Sequence, residues 1–115
     1  VEDVPEVRSL AAQILQNAEF DVTEAVDADD AIGKLRGMGA LPDVLVTDMQ
    51  MPGMNGHDLA ARIRVDHPGI RVLFISGYAP ETPPRAGANG KRETFLPKPF
   101  SPDELTKAVR GLVET

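Results

Sequence analysis

The sequence predicts an α/β protein built on a parallel sheet, and three observations carry that prediction. Two short apolar runs, residues 43–47 and 71–75, are continuous rather than alternating, as strands covered on both faces are. Between and around them, apolar residues recur at helical spacing. Turn signals such as Pro68-Gly69 separate the segments, so strands and helices alternate along the chain.

Each element has its own local signature. Pro5 opens a first helix, since proline loses nothing at the first helical position, and Val7, Leu10, Ala11, Ile14, Leu15 and Ala18 define its buried face. Residues 20–25 read as a short strand. Asp27 can cap a second helix with Ala31, Ile32 and Leu35 inward, which Gly37 and Gly39 end. The buried strand 43–47 follows. From 57 to about 67, Leu59, Ala60 and Ile63 make a third helical stripe, and 71–75 is the next buried strand. Between 77 and 93, Pro80, Pro83, Pro84, Gly87 and Gly90 break any helical period, so a fourth helix is expected to be weak or disordered. Thr94-Phe95-Leu96 can form a last short strand. Ser101-Pro102-Asp103-Glu104 combines an N-cap, proline at the first position and a returning glutamate, and opens a final helix. Its stripe is Leu105, Ala108, Val109, Leu112 and Val113.

At 115 residues the chain fits a single domain, 1–115, able to bury a core without metal or disulfide staples. With 18 acidic against 12 basic residues the net charge is −6, which argues against a nucleic-acid surface. Cysteine is absent, which excludes thiolate chemistry and Cys-ligated zinc. No apolar stretch is long enough to span a bilayer. The opening Val1-Glu2-Asp3 suggests a piece of a longer polypeptide. Only Val1 precedes the acidic pair, so most of a first strand is expected upstream, as several apolar residues.

The chemistry gathers at strand ends. Asp48 closes one apolar run and opens the turn Asp48-Met49-Gln50-Met51-Pro52-Gly53-Met54-Asn55-Gly56. Glu2-Asp3, Ser76 after Val72-Leu73-Phe74-Ile75, and Lys98 in Leu96-Pro97-Lys98-Pro99-Phe100 can meet it at one sheet edge. Carboxylates clustered at the carboxyl ends of parallel strands suit Mg²⁺, a hard cation taking oxygen ligands. Such a cation and Lys98 would leave Asp48 ionised and able to act as a nucleophile. Singly, each residue has a commoner explanation: aspartate after a strand often forms a turn, an acidic pair favours a helix start, and lysine is usually exposed. The coincidence of all four carries the argument. His57 and His67, on different faces of the third helix, read as surface residues, and Met49, Met51 and Met54 as packing residues.

These four motifs, in this order and at these intervals, resemble the receiver domain of two-component response regulators. The resemblance covers essentially the whole chain apart from the first strand, and the segment around Ser76 and Lys98 is similar to receivers attached to hybrid sensor histidine kinases. It implies a doubly wound, flavodoxin-like sheet of five parallel strands in the order 2-1-3-4-5, with helices on both faces. It further implies that Asp48 accepts a phosphoryl group from a phosphohistidine on a histidine kinase or histidine phosphotransfer domain. Asp3, Asp48 and the backbone carbonyl of Gln50 would ligate Mg²⁺, or Mn²⁺ in its place, with Glu2 acting mainly through water. Lys98 would pair with the phosphoryl oxygens and Ser76 would hydrogen-bond them. Lys98-Pro99 matches the family's cis peptide. The implied setting is cytoplasmic, in a parent chain that can be membrane-anchored, without nucleic acid or direct membrane contact in this domain, and a homodimer is compatible with it.

Phe95 occupies the position of an aromatic that swings on phosphorylation in this family; tyrosine is more usual there, and phenylalanine lacks its hydroxyl. Gln50 stands where aspartyl-nucleophile phosphatases carry a second aspartate as general acid, which sets the chain apart from those enzymes. The expected activity is therefore that of a signalling phosphoacceptor with limited self-catalysed phosphotransfer and dephosphorylation. The alternative is a docking module of the same fold that works without phosphorylation.

Overall fold

The computed structural model describes residues 1–39, 41–51, 53–76 and 93–114. The elements in chain order are α1 (Pro5–Asn17), α2 (Ala28–Gly37), β1 (Val44–Asp48), α3 (Gly56–Asp66), β2 (Arg71–Ser76), β3 (Glu93–Pro97) and α4 (Pro102–Val113). Among the described residues the sheet runs β1-β2-β3, all parallel, with Asp48 opposite Ile75 and Ser76 opposite Pro97.

Alternation along each strand explains the continuous apolar runs. Val72 and Phe74 of β2 pack with Leu59 and Ile63 of α3 and Ala28 and Ala31 of α2. Leu73 and Ile75 point the other way, to Ile14 and Leu15 of α1 and Leu105, Val109 and Leu112 of α4. Two cores on opposite faces of one sheet are the doubly wound arrangement. Leu10 and Val113, expected inward, are 52% and 39% exposed. At about 100° per residue, Leu10 falls to the margin of the stripe centred on Ala11, Ile14 and Leu15.

Local chemistry fixes the helix ends. The side chains of Asp27, Asn55 and Ser101 accept from the backbone N–H groups of Asp30, Asp58 and Glu104, and Ser101 with Glu104 completes a capping box. Helix α1 ends differently. Phe20 N donates to Leu15 O and Glu19 N to Gln16 O, a Schellman closure that seats Phe20 beside Leu15 in the core. The residue forced into the left-handed region is exposed Glu19, at φ 71°. Glu19→Gly is therefore expected to stabilise the domain by about 1 kcal/mol in chemical denaturation.

Residues 20–25, expected as a strand, carry no regular secondary structure and form no ladder. Val1 and Glu2 link them to β1: Glu2 N donates to Ala25 O, while Asp48 N donates to Val1 O and Val1 N donates to Val46 O. Val1 is thus bonded to β1 through both its backbone groups, whereas among the described residues the link to the 20–25 segment is the backbone bond between Glu2 and Ala25. A cavity of about 520 Å³ continues the same gap, lined by Leu15, Phe20, Val22, Val46, Ile75 and Val109 among others. Residues 77–92, on which the expected weak fourth helix falls, lie outside the described residues.

Candidate functional site

The site lies where β1, β2 and β3 end on one edge of the sheet. Asp48 is the last residue of β1, is buried, and is held on three sides. Its backbone N–H donates to Val1 O, and the fully buried Thr47 hydroxyl donates to its carbonyl oxygen at 3.1 Å. Its Oδ1 accepts from Gln50 N at 3.1 Å, an Asx-type closure that aims the carboxylate along the turn. The turn is tied to the next strand by Met49 N donating to Ile75 O at 2.8 Å.

Gly56 closes this turn, and its identity is dictated by space. Its N–H donates to Met49 O, and a Cβ on it would run into the Asp48 carbonyl oxygen and stand 3.1 Å from Met49 Cα. The residue lets the first turn of α3 press directly against the phosphoacceptor loop. The sequence showed Gly56 as a turn residue, but its close approach depends on the fold.

Two acids and a lysine complete the centre. Glu2 is buried and Asp3 is more open; with Asp48 they offer carboxylate oxygens all within 4.8 Å of one another. Lys98 reaches over from the loop after β3, its Nζ donating to Glu2 Oε1 at 3.0 Å and Asp48 Oδ2 at 3.1 Å. Its backbone N–H donates to Ser76 O at 2.7 Å, so the lysine's position is set by the end of β2. The Lys98–Pro99 peptide is cis, as expected. Ser76 itself is buried at the end of β2. Thus the structure brings Glu2, Asp3, Asp48, Ser76 and Lys98 to one edge, with Gln50 on the adjoining loop.

Electrostatics reflect this crowding. Burial, reinforced by the Asp48 charge, pushes the Glu2 carboxyl above its ordinary value of 4.5, against the opposing bonds from Lys98 and Val4 N–H. Burial also pulls on the Lys98 ammonium, but its bonds to Glu2 and Asp48 outweigh this and hold it above 10.5. A carboxyl whose folded value is raised contributes stability that is complete below pH 4.5 and is lost as pH rises through the raised value. Glu2→Gln should therefore remove a contribution to the melting temperature that declines from weakly acid to neutral pH, against the opposite contribution of the Val1 amino group, whose pKa burial lowers to about 6; an unchanged profile would show that Glu2 does not contribute.

His57 was expected only at the surface. It is exposed, yet its ring lies 4.7 Å from that of Phe74, which in turn lies 5.2 Å from Phe95. Spacing along one helix could not reveal a contact made with two strands. Met51 is buried in the core, with Met49 and Met54 packed against it, in keeping with their reading as packing residues.

Residues 1–110 match the family described as the response regulator receiver domain. The chain belongs to the response-regulator receiver family. The receiver is 35% identical, over 99% of its length, to the sensor kinase CckA of Brucella abortus, of which it covers 12%. It is 31% identical, over 98% of its length, to the transcriptional regulatory protein TrcR of Mycobacterium tuberculosis, of which it covers 43%. It thus spans less than half of each of these curated relatives. Among solved structures, the receiver domain of NtrX from Brucella abortus superposes with a TM-score of 0.85 at 30% identity, covering 99% of this chain and 95% of that one. The receiver domain of the hybrid histidine kinase CckA gives 0.77 at 34% identity, covering 96% and 94%. These neighbours bear out the flavodoxin-like α/β fold and the likeness to a hybrid-kinase receiver. As a receiver, the domain is a phosphoacceptor module of two-component signalling. No described helix is long and apolar enough to cross a membrane.

Proposed function

We propose that Asp48 is the phosphoacceptor and that Ser76, Phe95 and Lys98 turn its modification into a changed surface. The observation that carries this is the buried Asp48 carboxylate, joined by Glu2 and Asp3 oxygens within 4.8 Å and paired to Lys98 at 3.1 Å. In the transfer, an Asp48 carboxylate oxygen bonds to phosphorus as the phosphorus–nitrogen bond to the donor imidazole breaks, its electron pair returning to nitrogen. The product is an acyl phosphate. Hydrolysis by water attack on the same phosphorus gives the domain its limited self-catalysed dephosphorylation. The donor is a phosphohistidine on a histidine kinase or histidine phosphotransfer domain.

The donor set fits a hard divalent cation. Three carboxylates that bring oxygens within 4.8 Å of one another match the oxygen ligands that Mg²⁺ takes. Asp3, Asp48 and the Gln50 carbonyl would hold it, with Glu2 acting through water; Mn²⁺ shares the same preference. When bound, the ion keeps the clustered acids ionised and offsets charge on the incoming phosphoryl group. Lys98 is then free to exchange its carboxylate partners for phosphoryl oxygens, and the Ser76 hydroxyl can donate to the same group. We place the domain in the cytoplasm, in a longer chain, with no nucleic acid or membrane contact of its own.

Intact mass after incubation with acetyl phosphate tests this reading. A phosphoryl adduct that forms with Mg²⁺ and is lost with a chelator is expected; a folded protein that takes up none with the metal present would overturn it. Lys98→Ala should still form the adduct, within about tenfold of the wild-type rate, because the nucleophile remains. Its chemical shifts should change far less on addition of beryllofluoride, because the group that senses the phosphoryl charge has gone.

A further inference from the structure

Phe74, Phe95 and His57 form a three-ring stack beneath the site. Phe74 and Phe95 are register partners on β2 and β3, so their side chains share a face, and Ser76 lies two residues beyond Phe74 on that face. The His57 ring packs 4.7 Å from Phe74 and 6.4 Å from Phe95, tilted by 40° and 52°. Phe74 is fully buried and cannot move far, whereas Phe95 is only partly buried. Phe95 therefore packs directly against a fixed ring, and that ring is in turn covered by an α3 residue that also borders Phe95.

His57 also belongs mechanically to the phosphoacceptor loop. It directly follows Gly56, whose N–H is bonded to Met49 O and where an added Cβ would run into the Asp48 carbonyl oxygen. A displacement of that loop moves His57, and with it one wall of the Phe95 environment. We propose that His57 is a positioning residue for Phe95, giving Asp48 a second route to that aromatic besides the Ser76 hydroxyl. The proposal rests on the reading of Asp48 as phosphoacceptor for its trigger, but not for the stack itself.

The test follows the Phe95 ring by aromatic ¹³C NMR in wild type, His57→Ala, His57→Phe and Ser76→Ala, with and without beryllofluoride and Mg²⁺. His57→Ala should displace the Phe95 signals in the unliganded domain and reduce their beryllofluoride-induced change about twofold or more. His57→Phe should restore both, since it keeps a ring at the same place, and Ser76→Ala should leave part of the response. Phe95 signals in His57→Ala that superimpose on wild type would overturn the proposal, as would a failure of His57→Phe to rescue. A wild type indifferent to beryllofluoride would instead sink the phosphoacceptor reading. The role of His57 in positioning would then be decided by the unliganded spectra alone.

Discussion

Asp48→Asn is expected to lower phosphoryl uptake from acetyl phosphate about a hundredfold or more while leaving the fold in place. The carboxylate is the nucleophile, and an amide oxygen cannot replace it in forming the acyl phosphate. The change is nearly isosteric, and the Asn side chain can still accept from Gln50 N, which bonds Asp48 Oδ1 in the structure. Burial is the main cause of the raised Glu2 carboxyl and the Asp48 charge adds to it, so removing that charge should move Glu2 part of the way back toward its ordinary value. Loss of the adduct together with loss of cooperative unfolding would show that the substitution acts through the fold. Uptake at the wild-type rate would show that another residue is the acceptor.

Gly56→Ala is expected to have the largest effect on stability of any single-methyl change near the site. The added carbon meets backbone atoms of Asp48 and Met49, which cannot rotate away as a side-chain tip would. Either α3 retreats or the loop shifts, at a cost of about 1–3 kcal/mol in denaturant unfolding. Because the obstructed atom is the carbonyl oxygen of Asp48 itself, the carboxylate moves as well, and adduct formation should slow by about ten- to a hundredfold. Gly111→Ala in α4 is the control, since a Cβ there meets nothing within 4 Å. Equal effects of the two substitutions would mean that glycine matters only for backbone freedom and not for close approach.

The parts of this fold that were legible in the sequence are those encoded by local pattern. The continuous runs of β1 and β2 announced strands covered on both faces, and the two cores meet on β2 as that pattern requires. The capping signals at Asp27 and Ser101 lie where the helices begin. Asp48, Glu2, Ser76 and Lys98 were recognisable because their chemistry is rare in combination, and they do converge. What escaped depends on tertiary neighbours. Residues 20–25 have the composition of a strand, yet pairing needs a continuous neighbour, and Val1 with Glu2 supplies one backbone bond to Ala25. Leu10 is as apolar as its neighbours but lies off the axis of the α1 stripe, which only the packing of α1 on the sheet defines. His57 was assigned by its own helix alone, whereas its partners Phe74 and Phe95 come from two strands distant in sequence.

The central claim is that the phosphoryl group is carried by Asp48, and chemical trapping tests it most directly. The domain would be treated with acetyl phosphate and Mg²⁺, reduced with borohydride, which converts an acyl phosphate to the corresponding alcohol, and mapped by peptide mass spectrometry. Homoserine at position 48, and no reduced residue at Asp3 or Asp43, is the predicted result. Reduction at either of those aspartates with Asp48 intact would contradict the account and move the acceptor away from Asp48.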